Sequence, residues 1–256
     1  MHFTETCEDD APSLITHVAS TTAPIADGDV TAPIHAAPKE EKLLPTIHIV
    51  DSGYVDAELL VSSPRDYGVE LLGPPRANLR WQARAAEGFG LEDFRVEWEE
   101  KQAICPEGHT SIEWIERLDK RGNESIYMRF SPKDCGPCPS RSKCTLSEAK
   151  YPRRSICVRP REQHEALQVA REREHTDEYK ATYAKRAGCE GTLSRGVRTC
   201  GLRRSRYIGE EKVHLEQVLI GTAINFLRVS EWLAETPKAK TRQSAFVKLL
   251  APAGPS

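Results

Sequence analysis

The run Thr46, Ile47, His48, Ile49 and Val50 closes on Asp51, Ser52, Gly53 and Tyr54, and this junction of a β-branched strand with a polar loop constrains the fold more than any other stretch. The helical-looking Asp56 to Val61 follows, and then Val69 to Leu72, a strand bounded by Gly68 and by Gly73, Pro74 and Pro75. Upstream, Phe3 to Cys7 and Ser13 to Ala19 read as two short strands, and Pro24 to Asp29 as a turn. Val30 to Leu44 suits a helix face that Pro33 and Pro38 restrict to short or irregular segments. Strands alternating with helical stretches imply an α/β sheet with crossover helices and a site at the carboxyl ends of its strands. The first 75 residues thus read as one α/β unit.

Residues 76–150 differ in texture. Short aromatic strands are expected at Phe94 to Trp98, Ser111 to Trp114 and Ser125 to Phe130, with a turn at Lys120 to Asn123, as in an inserted β-subdomain. From Pro160 the chain turns helical. Glu162 to Arg186 holds no Gly or Pro and predicts one long helix ending near Gly188. Between Val213 and Leu233 apolar residues cover most of a helix circumference, which predicts a buried helix over a stretch that ends the ordered part at 236. Residues 237–256 are expected to be a frayed tail.

The 256 residues carry 36 Lys+Arg against 38 Asp+Glu, but the balance is local. Residues 1–100 hold 7 basic and 19 acidic side chains, 101–149 hold 8 and 7, and 150–256 hold 21 and 12. A basic end is the electrostatic footprint of a polyanion partner, and an acidic end is compatible with a metal site. The longest apolar run, Val218 to Leu227, is broken by Gly221, Thr222 and Asn225, far short of the ~20 apolar residues of a spanning helix, so no membrane role is expected. The first ten residues hold no basic segment followed by an apolar one, so a cytoplasmic location is expected.

Three constellations carry chemistry. Asp51, at a strand end, projects where open α/β sheets put ligands and suits a hard divalent cation, although a carboxylate there also suits a helix cap. Tyr183, Arg186 and Glu190 stand three and four residues apart, on one face if a helix continues through Gly188. The guanidinium then orients the carboxylate or meets a phosphate, or the two form a plain solvated ion pair. Arg195, Arg198, Arg203, Arg204 and Arg206 follow within twelve residues, with Tyr207 and Lys212 close behind, a density suited to phosphates. Cys135 and Cys138 span a Gly-Pro pair, and with Cys105 and Cys144 they make a candidate set of structural Zn²⁺ ligands, with His109 as an alternative to Cys144. A redox pair or buried thiols would explain the same pattern. Cys7, Cys157, Cys189 and Cys200 read as core residues.

Together these segments resemble bacterial insertion-sequence transposases of the DDE type. The likeness is carried by the opening His2 to Asp10, by Leu14 to Val18, by Ile49 to Leu60, by Cys135 to Arg141, by Glu190 to Arg198 and by Gly201 to Gly209. It implies a ribonuclease-H-like catalytic core, lacking its N-terminal part, in which carboxylates hold two Mg²⁺ or Mn²⁺ ions for strand cleavage and transfer on a DNA phosphodiester. Under the resemblance Asp51 is the second carboxylate and Glu190 the third, and Tyr183 and Arg186 are the Tyr and Arg that precede that Glu. The basic residue seven positions after the Glu falls on Val197, leaving Arg195 or Arg198 to serve.

The first carboxylate belongs to a strand upstream of Met1, so an incomplete site, inactive alone, is expected. Glu5, Asp9 and Asp10 are poor substitutes, the first within a strand pattern and the others beyond it. The organisation implied is a first half of the core at 1–75, a Cys-containing insertion at 76–150, a helical part at 151–236 carrying Glu190 and the basic segment, and the tail. The implied partners are double-stranded DNA at transposon ends, near the nucleoid, and a second copy of the chain. The alternatives are a non-catalytic DNA-binding or regulatory remnant and a zinc-stabilised interaction domain.

Overall fold

The computed structural model describes residues 1–40, 43–76, 81–82 and 88–237; the tail from 238 onward lies outside them. In chain order the elements are β1 His2–Glu5, β2 Ile15–Ala19, α1 Asp27–Glu40, β3 Ile47–Ile49, a 3₁₀ turn Ser52–Tyr54, α2 Ala57–Ser62, a π turn Ser63–Tyr67 and β4 Glu70–Leu72. Then come β5 Arg95–Glu97, β6 Gln102–Ile104, β7 Glu113–Leu118, β8 Glu124–Arg129, α3 Pro132–Cys135, α4 Arg141–Cys144 and β9 Ser155–Val158. The chain finishes with α5 Arg161–Glu174, α6 Asp177–Ala184, α7 Ala187–Cys200 and α8 Glu210–Leu233. It divides into two compact units, one of Met1–Thr21 with Ala187–Ser256 and one of Thr22–Arg186.

In the Thr22–Arg186 unit, β3 and β4 pair in parallel, with Ile47 opposite Glu70 and Ile49 opposite Leu72, and α2 forms the crossover between them. Asp56 caps α2 by accepting the Glu58 N–H at 3.1 Å. Val50, Val55 and Leu71 are buried together, with Tyr54, Leu59 and Leu60 packed on them. Close approach is built in at Gly73, where a Cβ would stand 2.6 Å from the Val50 carbonyl oxygen. Helix α1 runs regularly through Pro33 and Pro38, against the expectation of broken segments, and buries Val30, Thr31, Ile34 and His35. The apolar spacing of that face outweighs the one N–H each proline removes.

The β-rich part of this unit holds a second core of Phe94, Ala103, Ile126, Met128, Phe130, Ile156 and Val158. Strands β7, β8 and β9 form an antiparallel sheet in that order, and β5 pairs with β6. The turn at Lys120 to Asn123 is where the sequence places it: Asp119 accepts the Arg121 and Asn123 N–H groups at 2.8 and 2.9 Å.

The long helix expected from Glu162 to Arg186 is two helices. Thr176 interrupts it by capping α6, accepting the Tyr179 N–H at 3.2 Å, because a threonine hydroxyl competes for backbone donors. A second break follows α6 at Lys185 and Arg186, so Tyr183, Arg186 and Glu190 do not share one helix face.

In the other unit, β1 and β2 form an antiparallel hairpin with an irregularity between Thr4 and Glu5. Helix α8 lies on β2 and fixes it with an amide. Asn225 accepts the Ile15 N–H at 2.7 Å and donates to the Ile15 carbonyl at 2.8 Å. Glu5 is the buried centre of this unit, with only 6% of its side chain exposed. It accepts from Arg228 at 2.9 Å and from the Thr192 hydroxyl at 2.6 Å, while Arg228 also donates to the Ser13 carbonyl at 2.8 Å. Helix α8 is not buried all round, although its composition predicts that it is. Gly221 and Ile224 are covered, but Leu215, Leu219, Phe226 and Leu233 are exposed.

Candidate functional site

Asp51 leaves β3 at its carboxyl end and starts the Ser52–Tyr54 turn. Its Oδ1 accepts the Ser52 N–H at 2.7 Å, so the carboxylate is a cap, as sequence position alone allowed. Its Oδ2 accepts from the Arg186 guanidinium at 3.2 Å, with the two side chains 52% and 25% exposed. The strand-end position is held from behind: Val50 N–H donates to the Leu72 carbonyl at 2.8 Å, and Gly73 lets the two chain segments close up. Arg186 lies over Tyr183, whose ring stacks on Tyr179 at 5.6 Å between centroids. The sequence gives Arg186 a choice of Glu190 or a phosphate, and the fold adds Asp51 as its partner.

In the same unit, buried His35 and half-buried His48 form a pair, with His35 Nε2 and His48 Nδ1 2.9 Å apart. Desolvation lowers both pKa values, His48 to about 4 with His35 beside it. Sequence reading passed over this pair because 13 residues and a change of element separate its members.

Glu190 lies in the first turn of α7, in the other unit, and is exposed. Of the arginines that follow, Arg195 is engaged by Glu231 through two contacts, at 2.9 and 3.4 Å, and Arg198 donates to the Ser194 carbonyl of its own helix at 3.2 Å. Arg203, Arg204 and Arg206 sit in the exposed loop between α7 and α8 and make no ion pair among the described residues. Arg204, Arg206, Tyr207 and Lys212 line an open groove of about 890 Å³.

The cysteines separate into two groups. Cys105, Cys135, Cys138 and Cys144 all line one small cavity, and burial pushes the Cys135 thiol up and that of Cys144 to about 11. Cys157 and Cys189 are half-buried, whereas Cys7 and Cys200 are exposed, contrary to their reading as core residues: β1 ends before Cys7, and Cys200 is the last residue of α7. Among the described residues no group of three or more His, Cys, Asp or Glu side chains is arranged as a metal centre, and no helix is long and apolar enough to cross a membrane.

Residues 104–230 match the family described as the transposase DDE domain, which supports reading that stretch as a portion of a DDE-type transposase. Domains of this family generally work with a divalent metal ion, with which Mg²⁺ is consistent, and the family points to transposition and to DNA as partner. No curated protein and no solved structure matches the chain.

Proposed function

We propose that this chain acts in DNA transposition, a Mg²⁺- or Mn²⁺-dependent strand cleavage and transfer on a ribonuclease-H-like core, in which Asp51 and Glu190 are each carboxylate ligands for the metal. The observation that carries this reading is the family match over 104–230, which contains Glu190 and the whole basic segment; Asp51 lies outside it and enters through the resemblance of its own segment. The donor chemistry fits. Mg²⁺ takes hard oxygens, one or two carboxylates at a time, and completes its shell with substrate phosphate and water. When bound, such ions supply activation of the attacking oxygen and stabilisation of the leaving one. Arg186 holds Asp51 in place until a cation or a phosphate competes for it. The Tyr183 ring lies under the guanidinium.

Arg203, Arg204 and Arg206 are the primary phosphate contacts in this reading, because no ion pair among the described residues neutralises them. Arg195 and Arg198 contribute more weakly, since each already has an internal partner. Residues 1–75 and 151–236 together form the core, 76–150 its insertion. The chain works on double-stranded DNA at transposon ends, near the nucleoid, and pairs with a second copy.

The test is duplex binding at several salt concentrations. Binding falls steeply with salt, and replacing Arg203, Arg204 and Arg206 by Ala weakens it and flattens the slope by up to about three phosphate contacts. Glu190→Gln leaves binding intact and removes metal-dependent cleavage. Equal loss of binding from both variants would overturn this division of roles.

A further inference from the structure

Four thiols reach one cavity from three separate stretches of chain. Cys105 ends the segment after β6, where a tight turn returns the Gly108 N–H to the Cys105 carbonyl at 2.8 Å and the Cys105 N–H to the His109 carbonyl at 2.9 Å. Cys135 is the last residue of α3, Cys138 lies two residues beyond Gly136, and Cys144 is the last residue of α4. The cavity they share has a volume of about 20 Å³, room for a single atom-sized occupant. Arg154 closes one side, its guanidinium donating to the Cys144 carbonyl at 2.9 Å and to the Phe89 carbonyl at 3.1 Å.

Packing alone does not account for this arrangement. Cys105, Cys135 and Cys144 do touch the Phe94, Met128 and Phe130 core, as buried thiols would. Thiols serving only as small apolar fillers have no reason to converge on a common void, and interiors close such voids. Helices α3 and α4 are one turn each and adjoin strands of three to six residues. A single turn does not hold its own shape in water, so something must fix the segment that carries three of the four sulfurs.

We propose that Cys105, Cys135, Cys138 and Cys144 hold one Zn²⁺ ion that fastens the α3–α4 segment to the end of β6. Four thiolates are a soft donor set, which selects Zn²⁺ over the hard Mg²⁺ that suits Asp51 and Glu190. Four protein ligands leave no open position on a tetrahedral ion, so the site is structural and takes no part in strand cleavage. The four sulfurs line one cavity without forming a closed ligand set, so zinc binding requires them to close in on its centre. The site stands independently of the transposition reading, since it needs neither DNA nor Asp51.

The experiment is metal analysis of the purified full chain, followed by replacement of zinc with Co²⁺. About one equivalent of zinc per chain is expected, with Co²⁺ giving the intense near-ultraviolet and visible bands of a tetrahedral thiolate site. Cys135→Ser with Cys138→Ser abolishes the signal, whereas Cys7→Ser with Cys200→Ser leaves it unchanged. Should the first variant fail to fold, the wild-type Co²⁺ spectrum still decides, because its charge-transfer intensity reports the number of sulfurs. Folded chain with no zinc that gives no thiolate bands with Co²⁺, or zinc retained in the Cys135/Cys138 variant, overturns the proposal. Loss of DNA binding with zinc retained would count against the transposition reading and leave this site standing.

Discussion

Arg186 donates to the Asp51 carboxylate at 3.2 Å across 135 positions of sequence, tying the end of the α6 segment to the end of β3. The pair sits at the unit's surface, with the carboxylate half exposed, so its contribution to stability is small. Arg186→Ala is expected to change the unfolding free energy in urea by less than ~1 kcal/mol. Its larger effect falls on cation access. With the guanidinium gone, Oδ2 of Asp51 is open, and Mn²⁺ binding followed by water-proton relaxation should tighten severalfold. No change in Mn²⁺ affinity would mean that Asp51 is a cap and nothing more.

The Glu5, Arg228 and Thr192 network predicts the opposite balance. Glu5 is nearly inaccessible, so Arg228→Met strands a buried carboxylate and should lower stability by roughly 3–5 kcal/mol. The pair of changes Glu5→Gln with Arg228→Met should recover a large part of that loss. Urea denaturation of the three variants measures it, and a double variant no better than the single one would show that packing rather than charge dominates.

The His35 and His48 pair makes stability depend on pH. One ring must donate and the other accept across their 2.9 Å contact, which a doubly charged pair cannot do. Because burial lowers both folded pKa values, the unfolded chain takes up protons first. The contribution is therefore fully present above the ordinary imidazole value of 6.5 and is lost as pH falls from there toward about 4, up to ~3 kcal/mol for His48. His48→Gln should flatten thermal stability between those pH values. A wild-type melting temperature constant over the same range would refute the account.

At Gly73 a Cβ would stand 2.6 Å from the Val50 carbonyl oxygen and 2.8 Å from Val55 Cγ2. Neither a backbone oxygen nor a buried valine yields readily, so Gly73→Ala should destabilise by roughly 1–3 kcal/mol. Gly53→Ala is the control, since the nearest atom there is the far end of the Asp27 side chain. Comparable urea midpoints for the two variants would contradict this reading.

On α8, Phe226 is 78% exposed and Leu219 61%, on a helix that composition alone would bury. Such a face should promote self-association, measurable by sedimentation at micromolar concentration. Replacing Leu219 and Phe226 by Gln should shift the distribution toward monomer, and an unchanged distribution would rule this face out as the contact.

What the sequence revealed and concealed follows from the range of the forces involved. The β3 strand, its Asp51 terminus, α2 with its Asp56 cap, and the Lys120 to Asn123 turn were legible because each is fixed by neighbours within a few residues. The hydroxyl of Thr176 was a local signal too, but a run of good helix formers hides one capping residue in its midst. The partner of Arg186 was illegible, since only the fold brings Asp51 to it. Helix α8 misled for a different reason: an apolar circumference records what a helix is suited to touch, and here one covered face consists of Gly221, Ile224 and the polar Asn225 and Arg228.

The Asn225 amide has a consequence for how this chain avoids sticking to others. By donating to and accepting from Ile15, it occupies the two main-chain groups that a foreign strand would need in order to extend the β1–β2 ribbon at that point. A side chain thus stands in for a neighbouring strand, and the ribbon is closed to edge-to-edge polymerisation there without a charge or a proline to guard it.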